Sequence, residues 1–183
     1  LITDVVKPGS GSTPTAGAVR SMFATSGQGI QLTRGEYAGR LIQQYAGDVQ
    51  LANGSRTYQS YPVYSDDHGA TWQRGQFTGS AMDENKVVEL SDGRVMLNSR
   101  DSGNGGYRKV AISTNGGESY SEVKQDTNLP DPTNNAHITQ LNPGAAAGSK
   151  DAKKLLYTGA NSQTGRENVS ARVSCDDGAS WPG

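Results

Sequence analysis

Apolar and aromatic residues along the chain fall in short runs separated by glycine-bearing polar turns, and no stretch carries the 3.6-residue spacing of an amphipathic helix. Residues 39–45 and 61–64 read as strands. So do 86–90, 94–99 and 107–112, and then 137–141, 153–158 and 168–173. Each series runs into the same kind of octet. Ser65-Asp66-Asp67-His68-Gly69-Ala70-Thr71-Trp72 fits the pattern S-x-D-x-G-x-T-W at every specified position. Ser174-Cys175-Asp176-Asp177-Gly178-Ala179-Ser180-Trp181 fits with serine for threonine. Ser113-Thr114-Asn115-Gly116-Gly117-Glu118-Ser119-Tyr120 is a third copy, with asparagine for the aspartate and tyrosine for the tryptophan.

The octet has the chemistry of a turn. Its Asp or Asn accepts backbone N–H bonds from its own loop, its glycine permits a left-handed step, and its aromatic residue tucks beneath as a staple. Asp67 and Asp176 are therefore turn residues before they are candidates for catalysis. Strand, turn, strand, loop, strand, Asp-box turn, strand is a four-stranded antiparallel sheet, and its repetition predicts an all-β β-propeller with about three blades in these residues. Propellers typically close with at least four blades. Residues 1–183 are thus expected to be part of one propeller domain truncated at both ends.

Composition narrows the function. Of 183 residues 33% are hydrophobic, 24 are glycine and the net charge is -1, with Lys and Arg scattered rather than clustered. No nucleic-acid footprint and no membrane span is expected. Cys175 is the only cysteine, so no disulfide forms within these residues. His68 and His137 lack the spacing of a transition-metal site, and neither metal nor cofactor is expected. Asn53-Gly54-Ser55 and Asn168-Val169-Ser170 match the glycosylation sequon, and Gly27-Gln28-Gly29 lacks the strand-to-helix context of a dinucleotide site.

Blade geometry selects the residues that share a face. The start of a blade's first strand, the end of its second and the loop between its second and third lie at one rim, with the Asp-box turns at the other. This places Asp83 and Glu84 before the first strand of the middle blade, and Arg100 and Asp101 after its second. Arg166 falls in the second-to-third loop of the next blade. Asn134 and Asn135 precede that blade's first strand, and Tyr58 precedes the third strand of the first blade. Carboxylates, guanidinium groups, a phenol and amides on one rim suit an anionic sugar, because guanidinium holds a carboxylate through two parallel hydrogen bonds. On spacing alone Arg100 with Asp101, and Arg166 with Glu167, also read as exposed ion pairs.

The run from Met82-Asp83-Glu84-Asn85-Lys86 through Asn98-Ser99-Arg100-Asp101 to Tyr107-Arg108-Lys109-Val110 closely resembles the central region of the secreted exo-α-sialidases of actinobacteria. Phe23-Ala24-Thr25-Ser26-Gly27, Leu129-Pro130-Asp131-Pro132-Thr133-Asn134-Asn135 and Ser174-Cys175-Asp176-Asp177-Gly178 resemble the same proteins, and the likeness covers nearly the whole chain from Phe23. The resemblance implies a six-bladed propeller and a secreted hydrolase, expected to be monomeric, that removes terminal sialic acid from sialylated glycans with retention. It implies that Glu84 partners a catalytic tyrosine, and that Arg100 and Arg166 are the second and third arginines of a carboxylate-binding triad. Asp83, Tyr58 and Asn135 are candidates for substrate binding on the rim argument. The first triad arginine and the acid/base aspartate have no counterpart here, and the tyrosine is expected past Gly183. These residues alone are therefore expected to be inactive. The alternatives are a non-catalytic Asp-box propeller that binds carbohydrate or protein, and a propeller glycosidase acting on neutral polysaccharide.

Overall fold

The computed structural model describes residues 1–9 and 15–182. The described chain is almost entirely strand, turn and loop, in three antiparallel sheets that follow one another in sequence. The first contains β1 (Val19–Ala24), β2 (Ile30–Gln31), β3 (Leu41–Gln50), β4 (Arg56–Ser65) and β5 (Gln73–Arg74). The second runs in simple order through β6 (Met82–Glu89), β7 (Val95–Asp101), β8 (Tyr107–Ser113) and β9 (Lys124–Pro130). The third consists of β10 (His137–Gln140), β11 (Leu155–Ala160) and β12 (Val169–Ser174). These are three blades of a propeller, as the repeat predicts.

Three details differ from the sequence reading. A one-turn helix, α1 (Thr3–Val6), precedes the sheets; four residues are too few to leave a helical period. Val6 is buried against the first blade, where its carbonyl accepts a hydrogen bond from the Tyr61 hydroxyl at 2.6 Å. The first blade also has an inner strand that the pattern did not reveal. It is split in two: β1 pairs with β3 from Tyr45 to Val49, and β2 pairs with the same strand at Leu41 and Ile42. Gly29 sits in the break, where a Cβ would meet the Ile42 carbonyl oxygen at 2.8 Å. Finally, β3 and β4 are each ten residues long and pair to the rim, through Asp48 with Tyr58 and Gln50 with Arg56.

The middle blade is covered on both faces. Val87, Val95 and Leu97 pack with Leu32, Ile42 and Tyr64 of the first blade. Val88, Leu90 and Met96 pack with Ile138, Leu155, Tyr157 and Trp181 of the third. Each such side chain contributes about 1.5–3 kcal/mol by leaving water. β6 is therefore buried at six of its eight positions rather than at alternate ones.

Charged residues tie the blades together. Glu89, 4% exposed, accepts hydrogen bonds from the Thr33 and Arg34 backbone N–H groups, the Thr33 hydroxyl and the Arg34 guanidinium. Arg40 reaches Asp66 of the first Asp-box at 2.7 Å and Glu118 of the second at 3.0 Å, with its guanidinium over the rings of Tyr37 and Tyr64.

The three octets close the same hydrogen bonds. In the first, the Ser65 hydroxyl donates to Asp67 and accepts from the Gly69 N–H, while Asp67 also accepts from the Thr71 N–H and hydroxyl. Ser174, Asp176, Gly178 and Ser180 repeat this set, and Ser113, Asn115, Gly117 and Ser119 do so with one bond reversed, the Asn115 amide donating to the Ser119 hydroxyl. Gly69, Gly117 and Gly178 have φ values of 90°, 89° and 82°, the left-handed step that the pattern requires. The staple varies too. The Trp72 indole donates to the Gly69 carbonyl, whereas that of Trp181 donates to Asp126 of the neighbouring blade.

Candidate functional site

At the rim opposite the Asp-boxes, β6 and β7 are joined through a bulge. Met82 pairs with Asp101 and Asn85 with Ser99, so Asp83 and Glu84 together stand opposite Arg100. These three residues lie inside the strands, not before and after them as the sequence suggested. The ladder continues past the bulge to Met82 and Asp101, which carries the polar residues into β6 and β7. Tyr58 likewise lies within β4 rather than before it.

The bulge turns both carboxylates toward one guanidinium. Glu84 Oε2 lies 3.4 Å from Arg100 Nη1, and Asp83 Oδ1 lies 3.7 Å from Arg100 Nε. Both separations exceed a good N–H···O hydrogen bond, and Arg100 Nε has no hydrogen-bond partner among the described residues. Nε is buried against Asp83, so any donors that Arg100 offers to a carboxylate are those of its partly exposed guanidinium end. Asp83 also accepts the Glu84 N–H at 2.6 Å. Burial pushes its carboxyl above the ordinary range, opposed by that hydrogen bond and by Arg100.

The other candidates are arranged around this centre. Arg166 is exposed in the loop between β11 and β12 and donates to the Thr133 carbonyl at 3.2 Å. The Thr133 hydroxyl donates in turn to the Asp101 carbonyl at the end of β7, which links the two arginine segments. Arg166 forms no ion pair with Glu167 among the described residues. Asn135 is not joined to Arg100; it donates to the Ser26 hydroxyl and accepts from Lys86. Tyr58, 37% exposed, stands beside Phe23 with ring centroids 6.4 Å apart. Asp101 faces away from this chemistry: it pairs with Lys109 at 2.8 Å and accepts from the Gly103 and Gly105 N–H groups. Among the described residues no three His, Cys, Asp or Glu side chains gather into a metal-holding group.

Sequence reasoning missed the support beneath the site. Arg108 is fully buried, pairs with Asp131 at 2.6 Å and donates to Asn98 at 2.8 Å. It also donates to the Asn134 carbonyl at 2.8 Å and reaches the Glu84 carbonyl at 3.5 Å. One side chain thus fixes the backbone behind Glu84 and the loop before β10. The available signal was an arginine inside a strand together with an aspartate in the Leu129–Asn135 motif, two residues whose pairing spans the blades.

Asp-box turns on one rim and a guanidinium facing a carboxylate pair on the other mark this chain as a segment of an Asp-box β-propeller. The chain belongs to the family of BNR repeat-like domains, whose model matches residues 21–183. It is 59% identical over 163 residues to the sialidase of Micromonospora viridifaciens, an alignment covering 89% of this chain and 25% of that protein. Its fold matches the Hadza microbial sialidase Hz136 with a TM-score of 0.76 and 25% identity, over 99% of this chain and 32% of that one. The intramolecular trans-sialidase of Ruminococcus gnavus, 24% identical, matches in fold with a TM-score of 0.69, over 85% of this chain and 30% of that one. The chain thus spans about a quarter to a third of the length of these relatives.

Proposed function

We propose that this chain is the central part of an exo-α-sialidase, a secreted monomeric glycoside hydrolase that releases terminal sialic acid from glycoconjugates. The observation that carries this reading is the bulge that sets Asp83 and Glu84 against the partly exposed guanidinium of Arg100. Sialic acid bears its carboxylate on the anomeric carbon. Arg100, with Arg166 from the adjoining blade, would hold that carboxylate and orient the ring as oxocarbenium character develops.

The same carboxylate would repel an Asp or Glu nucleophile, so a neutral tyrosine suits the attack better, in keeping with sialidases as exceptions to the two-carboxylate scheme. In this reading Glu84 accepts the phenolic proton as the tyrosine oxygen bonds to the anomeric carbon and the glycosidic bond breaks, the acid/base aspartate giving its proton to the departing aglycone oxygen. Water, losing a proton to that aspartate, then displaces the tyrosine, which regains its proton from Glu84, and two displacements give retention. In this reading the tyrosine, the first arginine of the triad and the acid/base aspartate lie in segments outside these 183 residues. Tyr58 and Asn135 would line the pocket, and the 183 residues alone would be inactive.

The test is fluorophore release from an α-sialoside by the full-length protein beside its Arg100→Ala variant. Activity that collapses in the variant supports both the enzyme class and the role of Arg100. Undiminished activity in the variant discards the site assignment. A folded full-length protein without activity points to a propeller that binds glycans and does not cleave them.

A further inference from the structure

Three Asn-Gly pairs occur in the chain, at 53–54, 104–105 and 115–116. An asparagine before glycine can lose its side-chain nitrogen, because glycine has no Cβ to keep its N–H from the side-chain carbonyl. The three pairs are alike in sequence and unlike in structure. Asn53 and Gly54 are exposed at the tip of the β3–β4 hairpin, on the rim that carries Arg100. Gly54 has φ at 84°, and a Cβ built on it would meet nothing within 4 Å. Gly116 is instead buried, and a Cβ there would strike the Tyr37 ring. Gly105 is crowded by Gln125 and Asp101, and its N–H donates to the Asp101 carboxylate at 3.1 Å.

The side chains differ in the same sense. Asn53 Oδ1 accepts from the Ser55 N–H at 3.0 Å and from the Ser55 hydroxyl at 2.7 Å. This Asx turn folds the side-chain carbonyl back over the Gly54 peptide, and its two donors draw electrons from the carbon to be attacked. The Asn53 amide nitrogen donates to no group among the described residues, so the leaving group faces water. The Gly54 N–H donates to the Leu51 carbonyl at 3.0 Å, a bond at an exposed turn that water can replace. Asn115 is held at both ends, its Oδ1 accepting from the Ser119 N–H and its amide donating to the Ser119 hydroxyl. At Asn104 the Asp101 carboxylate stands against the very nitrogen that must lose a proton, and like charge disfavours the amide anion.

We propose that Asn53 is a self-modifying site, which converts to aspartate and isoaspartate on the folded protein while Asn104 and Asn115 persist. The Gly54 nitrogen gives its proton to hydroxide and bonds to the Asn53 side-chain carbon. The bond from that carbon to Nδ2 breaks, and the nitrogen takes a proton from water and leaves as ammonia. Water then opens the cyclic imide at either carbonyl, and either opening restores the Gly54 N–H. Both products place a new carboxylate on the rim, and the isoaspartyl form also lengthens the main chain of the turn by a methylene. The inference rests on the turn alone and is independent of the sialidase reading.

The test holds the folded full-length protein at mildly alkaline pH and follows its peptides over time by digestion and mass spectrometry. An isoaspartyl methyltransferase assay identifies the rearranged product. Conversion is expected in the Asn53 peptide well before those of Asn104 and Asn115. In protein unfolded by denaturant the three rates should converge, since the folded surroundings alone separate them. Ser55→Ala, an exposed substitution, removes the hydroxyl donor and should slow conversion of Asn53 about fivefold. The proposal is overturned if Asn53 stays intact, if Asn104 or Asn115 converts as fast in the folded protein, or if Ser55→Ala leaves the Asn53 rate unchanged.

Discussion

Glu84 and Arg100 face each other across a β-bulge, with Oε2 3.4 Å from Nη1, close enough to attract and too far to saturate the guanidinium. The extra residue in β6 makes this possible. Without it Asp83 and Glu84 would point to opposite faces, and only one carboxylate could address the arginine.

Replacing Glu84 by glutamine keeps its size and removes its capacity to accept a proton. In the full-length protein, steady-state kinetics on an α-sialoside should show kcat falling by about 10²–10⁴, the usual worth of general acid–base help, with KM little changed. A rise in KM at constant kcat would assign Glu84 to binding instead.

Arg108→Met should destabilise the protein by about 3–5 kcal/mol in denaturant unfolding, because it strands a buried Asp131 carboxylate. Arg108→Met combined with Asp131→Leu should recover part of that loss, since a paired apolar replacement removes both charges. A double variant as unstable as the sum of the two single variants would show that the pair is not the source of the effect.

The Asp-box carboxylates set an acid limit on their turns. Hydrogen bonds from the Thr71 hydroxyl and N–H and from the Ser65 hydroxyl hold Asp67 at about 2, below its ordinary 3.8. Asp67 is thus an acid whose folded pKa is depressed. Its contribution is complete above the ordinary value and is lost as pH falls toward 2. A carbon-detected NMR titration should place its midpoint near the lower value, and Asp67→Asn should remove that transition. The Asn115 turn already has the uncharged form. A midpoint near 3.8 would mean that the turn does not favour the anion.

The octets were legible in sequence because the bonds that shape their turns are local, spanning two to four residues. The blades followed from them. Strand ends were harder to read, since Asp48, Arg56 and Tyr58 look like loop residues and become strand only through long-range pairing. The split inner strand of the first blade was hidden for the same reason. At the site, Glu84 and Arg100 could be named from a motif, but the bulge that aligns them is a property of register. Arg108 carried no assigned role in the sequence. It is an interior cation because Asp131, from the loop before β10, neutralises it.

The role proposed for Arg100 is recognition of a carboxylate. The most direct measurement compares inhibition of the full-length protein by a dehydrated sialic acid analogue and by its C1 carboxamide, in wild type and in Arg100→Ala. The acid should bind about ten- to a hundredfold more tightly than the amide in wild type, the worth of a hydrogen bond to a charged group, and that preference should largely vanish in the variant. Equal binding of acid and amide by the wild type, or a preference that survives in Arg100→Ala, would contradict the account.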